Sequence, residues 1–248
     1  MVKSWKLEIC IDSFASAKAA IEGGAKQLEV CSALALGGLT PSVGLIAQIR
    51  HAYPNACLMA MIRCRGGDFV YDEMEMDTME NDIEQLKPYA SGFVFGFLDE
   101  SNFLDASQCS RMIKTADGMP CTLHRAFDLT ADWKETLNSA VRLGFTTILT
   151  SGQAPVALQG IKKLKQIVNE ASERIEILIG SGVSPATLCE LISATGARSF
   201  HASASIAWPS RAKASSISMG VSDSQEMKRT DSGTVRRMLE IMKSNMEK

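Results

Sequence analysis

No run of apolar residues in this 248-residue sequence is long enough to span a bilayer. The first twelve residues, MVKSWKLEICID, contain neither a continuous apolar segment nor a small-residue cleavage site. A cytoplasmic protein without a membrane partner is therefore predicted. The formal net charge is only −2, too little to draw the chain to nucleic acid or to an anionic surface. Zinc-knuckle, CxxC, P-loop, EF-hand and HExxH signatures are all missing. Histidine is scarce, with three residues at His51, His124 and His201. No Gly-rich fingerprint follows the first candidate strand, which argues against an open dinucleotide-binding sheet.

What is present is ordinary globular composition, 46% hydrophobic and 22% charged, enough to build a sizeable core. Seven cysteines are scattered at 10, 31, 57, 64, 109, 121 and 189. Their odd number and the lack of an export signal predict reduced thiols rather than a disulfide framework.

Short β-type runs alternate with helical patterns along the chain. Strands are predicted at 6–11, 27–31, 57–63, 92–97, 120–124, 146–150, 175–179 and 199–203. Helical spacing recurs between them, as in Met76, Met79, Ile83 and Leu86, or Leu158, Ile161, Leu164 and Val168. Ser184-Pro185 reads as an N-cap with a first-turn proline, and Gly24, Gly144 and Gly196 sit where helices should stop. Eight strands alternating with helices over this length predict one (β/α)8 TIM-barrel domain covering 1–248. The irregular stretch 208–231 is read as a long loop, a functional lid or a disordered segment, before a C-terminal helix from Thr234 to about Met246.

Strand parity then places the polar residues. In LEICI, Leu7, Ile9 and Ile11 share one face and Glu8 and Cys10 the other. In LEVC, Leu28 and Val30 share one face and Glu29 and Cys31 the other. The branched apolar face belongs under the helices, so both glutamates and both cysteines should point into the barrel. Neighbouring strands lie about 4.8 Å apart, which would cluster two carboxylates with two thiols. Arg63 and Arg65 follow on the third strand, as neutralising partners for Glu8 and Glu29 or as an anion clamp. His124, Arg125 and Asp128 end the fifth strand, Ser151 the sixth, Ser181 and Gly182 the seventh, His201 and Ser203 the eighth. Barrel enzymes keep their sites at these strand C-termini.

Two chemistries fit this arrangement. Cys10 and Cys31 are small core residues, nucleophiles, or a thiolate pair for a soft ion, Cu(I) above all. Alternatively, the mouth is that of an isomerase, lyase or hydrolase acting on a small anionic or phosphorylated metabolite. His124 with Glu8 or Glu29 would then move protons. Arg63, Arg65, Arg125, Asp128, Ser151, His201, Ser203 and the Gly180-Ser181-Gly182 turn, leading into a helix near Ser184, would hold the anion. No organic cofactor is indicated.

The runs LEICIDS, GGAKQLEVCSALALGGLTPS, MIRCRGGDFVY, GFVFGFL, TLHRAFD, ILTSG, FHASAS and SISMG, from about Leu7 to Gly220, resemble the CutC copper homeostasis family in identity and order. The resemblance implies a TIM barrel, a cytoplasmic location and a homodimer or homotetramer. It also implies a role in copper handling, with Cys10 and Cys31 as the candidate Cu(I) ligands. Two positions depart from the family's pattern. Cys64 stands where RPRGGDF has proline, and Ser181 stands in a turn that is usually all glycine.

Overall fold

The predicted alternation is present throughout the computed structural model, which describes residues 5–209 and 226–246. The repeating units are β1 (Lys6–Ile11), α1 (Phe14–Glu22), β2 (Gln27–Val30), α2 (Val43–Ala52), β3 (Cys57–Met61), α3 (Glu73–Leu86), β4 (Gly92–Phe95) and α4 (Ala106–Thr115). They continue with β5 (Cys121–Leu123), α5 (Trp133–Leu143), β6 (Thr147–Thr150), α6 (Ile161–Ala171), β7 (Glu176–Ile179), α7 (Leu188–Thr195) and β8 (Ser199–Ala202). Strands β1 to β8 pair in sequence order and in parallel, and β8 returns to β1, closing the barrel.

Local chemistry sets the helix ends. Asp72 caps α3 in a reciprocal capping box with Glu75, satisfying backbone donors at the first turn. Gly144 and Gly196 end α5 and α7 in the left-handed conformation, as their positions predict. The start of α7 differs from expectation. The Ser184 carbonyl accepts from the N–H groups of both Thr187 and Leu188, closing a turn first, so the helix begins at Leu188 and Ser184 is not its cap.

Two apolar layers follow from strand parity. Leu7, Ile9, Ile11, Leu28, Val30, Leu58 and Phe93 pack outward under the helices. Cys31, Met59, Met61 and Val94, of the opposite parity, form a smaller cluster inside the barrel. The lower end of the interior is plugged by polar contacts, with Lys6 Nζ 2.5 Å from the Glu176 carboxylate.

Part of the stretch expected to be irregular is regular. β9 (Ser205–Pro209) and β10 (Glu226–Thr230) form an antiparallel pair, with the Arg229 guanidinium 4.8 Å above the Trp208 ring. Residues 210–225, including the SISMG run and any lid they would form, lie outside the described residues. The last helix, α8 (Ser232–Met246), starts at Ser232 rather than Thr234 because the Asp231 carboxylate binds the Thr234 N–H and hydroxyl. Among the described residues no helix is long and apolar enough to cross a membrane.

Candidate functional site

Closure of the barrel brings β8 beside β1, and register does the rest. Cys10 lies opposite Glu29, and Glu8 lies opposite both Gln27 and His201. Glu8 and Glu29 are 1% and 3% exposed, and a shared contact, from β1 and β2, with one residue of β8 puts both on the inward face that alternation assigned to them. Their partner is His201. Its Nε2 stands 2.9 Å from Glu29 Oε2 and 3.9 Å from Glu8 Oε1. Gln27 Nε2 donates to Glu8 Oε2 at 2.5 Å.

Ligand atoms of Cys10, Glu29 and His201 all lie within 4.8 Å of one another. Cys31 stands beside this group, its thiol donating to Glu29 Oε2 at 3.5 Å. The compact set is thus one thiol, one carboxylate and one imidazole, with the second thiol reached through Glu29.

Burial and charge tune these groups against one another. Burial alone would raise Glu29, but the His201 imidazolium and its hydrogen bond outweigh this and hold the carboxyl below its ordinary range. Burial is the largest influence on His201 and would lower it, but the Glu29 charge, the hydrogen bond to Glu29 and the Glu8 charge together outweigh it, so His201 is raised. Glu8 is pushed up to about 7 by burial and then by the Glu29 charge. Burial, and next the Glu29 charge, push both Cys10 and Cys31 well up. The thiols therefore rest protonated.

The arginines do not neutralise the two glutamates. Arg63 is 6% exposed, and its terminal nitrogens donate to the Leu36 carbonyl at 2.8 Å and the Gly67 carbonyl at 2.9 Å. Arg65 turns outward to Glu75 and Asp68 and lies over the Tyr71 ring. The loops after β2 and β3 and the first turn of α3 supply these acceptors, and strand parity has no bearing on where loops go.

Most of the remaining rim residues brace the scaffold. Asp128 accepts from Arg125 Nε at 2.8 Å, Ser151 Oγ at 2.9 Å, and the backbone N–H groups of Ser151 and Gln153. This network staples the end of β5 to the end of β6. Ser181 takes a left-handed φ of 73°, as a glycine would, and its hydroxyl donates to the Pro155 carbonyl. Gly182 also has positive φ, but with α7 starting at Leu188 no helix N-terminus faces this turn. Ser203 Oγ lies 2.9 Å from Ser205 Oγ, and His51 is exposed on α2.

His124 behaves differently from His201. Its Nδ1 accepts the Ala126 N–H at 3.2 Å, so the ring proton sits on Nε2. That Nε2 is buried without a partner. Burial, then the Arg63 charge, lower His124 to about 3, so it stays neutral. Phe69 packs against the imidazole, their centroids 4.7 Å apart. A cavity of about 600 Å³ opens at the opposite end of the barrel, beside Ile175, Glu176, Arg198 and Ser199, away from all of this chemistry.

The model of the CutC family matches residues 5–206, the whole of the eight-stranded barrel. The chain belongs to the CutC family. A copper homeostasis protein cutC homolog of Caenorhabditis elegans is 45% identical over 235 residues, 94% of each chain. The human protein of that name is 37% identical, covering 96% of this chain and 89% of its own. A crystal structure of a CutC protein from Streptococcus agalactiae superposes with a TM-score of 0.77 at 30% identity, covering 80% of this chain and 98% of that one. The barrel of 3-keto-L-gulonate-6-phosphate decarboxylase from Vibrio cholerae shares the fold alone, with a TM-score of 0.59 at 14% identity over 98% of this chain and 99% of that one.

Sequence reading of this CutC chain missed Gln27 and Phe69. Gln27 had a signal, since it shares the inward parity of Glu29. Phe69 had none, because a loop presents it.

Proposed function

We propose that this CutC chain is a cytosolic copper-handling protein that holds Cu(I) inside the barrel, on Cys10 with His201 and with Cys31 as the second sulfur. The observation that carries the reading is the convergence of Cys10, Glu29 and His201 within 4.8 Å. The donors suit the ion. Thiolate and imidazole are good ligands for copper, and Glu29 Oε1, buried without a hydrogen-bond partner, offers compensating negative charge. The names of the curated relatives point the same way. A homodimer or homotetramer belongs to the same proposal.

Anaerobic competition titration of the reduced protein with a Cu(I) chelator tests it. Cys10→Ser should weaken binding by more than about 100-fold, since a direct ligand matters more than the outer groups whose loss costs about 10–100-fold. Cys189→Ser, at an exposed thiol, should change nothing. If Cys10→Ser/Cys31→Ser binds Cu(I) as tightly as wild type, the assignment is wrong.

A further inference from the structure

Beside the thiols, the barrel interior carries polar atoms that the copper reading leaves unused, and only Glu29 Oε1 is common to both. Among the described residues, five buried side-chain atoms lack a hydrogen-bond partner: Glu8 Oε1, Glu29 Oε1, Arg63 Nε, Gln108 Oε1 and His124 Nε2. All but Gln108 come from the barrel strands or their C-terminal ends. Leaving such a group unpaired costs about 1–3 kcal/mol, more when it is charged, so this concentration calls for a partner.

The four atoms divide by chemistry. Arg63 Nε and His124 Nε2 are donors whose side chains both pack on one aromatic ring, Phe69. The Arg63 guanidinium lies 4.9 Å from the Phe69 centroid, and the same ring packs on His124. Arg63 is held in place, because its terminal nitrogens are anchored on the Leu36, Gly38 and Gly67 carbonyls and the Tyr71 side chain lies beside it. His124 cannot rotate freely either, because Nδ1 caps the short turn Arg125–Leu129 and Gly96 lies tight against the ring. Glu8 Oε1 and Glu29 Oε1 are acceptors, and Glu29 is close enough for its charge to act on His124.

We infer that the mouth of the barrel binds a small organic carboxylate that also carries hydroxyl or ammonium donors. Its carboxylate oxygens accept from Arg63 Nε and His124 Nε2, and its donors reach the free oxygens of Glu8 and Glu29. A phosphate fits less well. Phosphate sites draw on helix N-termini and clustered backbone N–H groups, whereas here the Ser181 hydroxyl is occupied by Pro155 and α7 begins six residues beyond Gly182. Two single N–H donors, one of them cationic, suit the two oxygens of a carboxylate.

Copper-free protein titrated with D-glycerate, L-alanine, acetate and inorganic phosphate, followed by calorimetry, tests this assignment independently of the copper reading. Glycerate or alanine should bind, more tightly than acetate, and the stronger of the two identifies which donor the glutamates take. His124→Asn is the informative variant. Asparagine can still cap the Ala126 N–H but has nothing in place of Nε2, so affinity should fall by about tenfold, the loss of one hydrogen bond to a charged group. Folding of the variant is checked by its thermal transition, and Phe69→Leu, which loosens both donors, should weaken binding without touching either. Binding equal in wild type and His124→Asn, phosphate binding as tight as the carboxylates, or no binding by either donor-bearing acid at 10 mM would each overturn the inference (about 10 mM corresponds to less than 3 kcal/mol).

Discussion

Glu8 is the most exacting place to test the electrostatics of the interior. The group is 1% exposed, and burial beside Glu29 lifts its folded-state pKa from 4.5 to about 7. Between those values the folded protein holds a proton that the unfolded chain has released, so stability must fall as pH rises. At about 1.36 kcal/mol per pH unit, the loss attributable to Glu8 reaches roughly 3 kcal/mol above pH 7. Glu8→Gln keeps the shape and can still accept the Gln27 hydrogen bond, but it cannot ionise. Urea denaturation at several pH values is the assay. At pH 4 and below, variant and wild type should be nearly equal. By pH 8 the variant should be the more stable, by up to roughly 3 kcal/mol. Equal stability at pH 8, or a less stable variant there, would show that Glu8 is an ordinary ionised carboxylate and that the interior is better solvated than its burial implies.

Three further outcomes follow from the same geometry. Because burial holds Cys10 and Cys31 protonated well above the ordinary thiol range, Cu(I) must displace protons. Affinity should climb by up to about tenfold per pH unit for each thiol deprotonated between pH 6 and 8, and a flat profile in the competition titration would exclude these thiols. Asp128→Asn turns an amide donor toward donors, and chemical denaturation should show a loss of about 3 kcal/mol or more; a loss below 1 kcal/mol would show that the β5–β6 staple is not structural. Gly92→Ala places a methyl 2.5 Å from the Pro120 carbonyl and 2.8 Å from the Met59 side chain, so about 1–3 kcal/mol of stability should go. An unchanged melting temperature would contradict that packing.

Much of this was legible in the chain because two periods govern a barrel. The alternation in LEICI and LEVC already separated Glu8, Cys10, Glu29 and Cys31 from the residues under the helices, and the structure keeps that division. The identity of the partners was not legible. His201 meets Glu29 only because β8 closes onto β1 at one register, a relation between residues 172 positions apart that no local pattern encodes. Arg63 shares parity with Met59 and Met61, yet its charge is absorbed by carbonyls of loops whose path depends on positive-φ glycines at 37, 38 and 67. The late start of α7 likewise turns on one hydroxyl, Thr187, which binds the Gly182 carbonyl and the Ser184 N–H in place of a helical cap.

The central claim is a copper ion held inside the barrel by mixed sulfur and nitrogen ligands. X-ray absorption at the copper edge of the reduced, Cu(I)-loaded protein addresses it directly. The account predicts sulfur together with imidazole nitrogen in the nearest shell, the nitrogen signal disappearing in His201→Phe and the sulfur signal falling in Cys10→Ser. A shell unchanged by both substitutions, or sulfur scattering that is lost only with the exposed Cys189, would place the copper elsewhere and contradict the account.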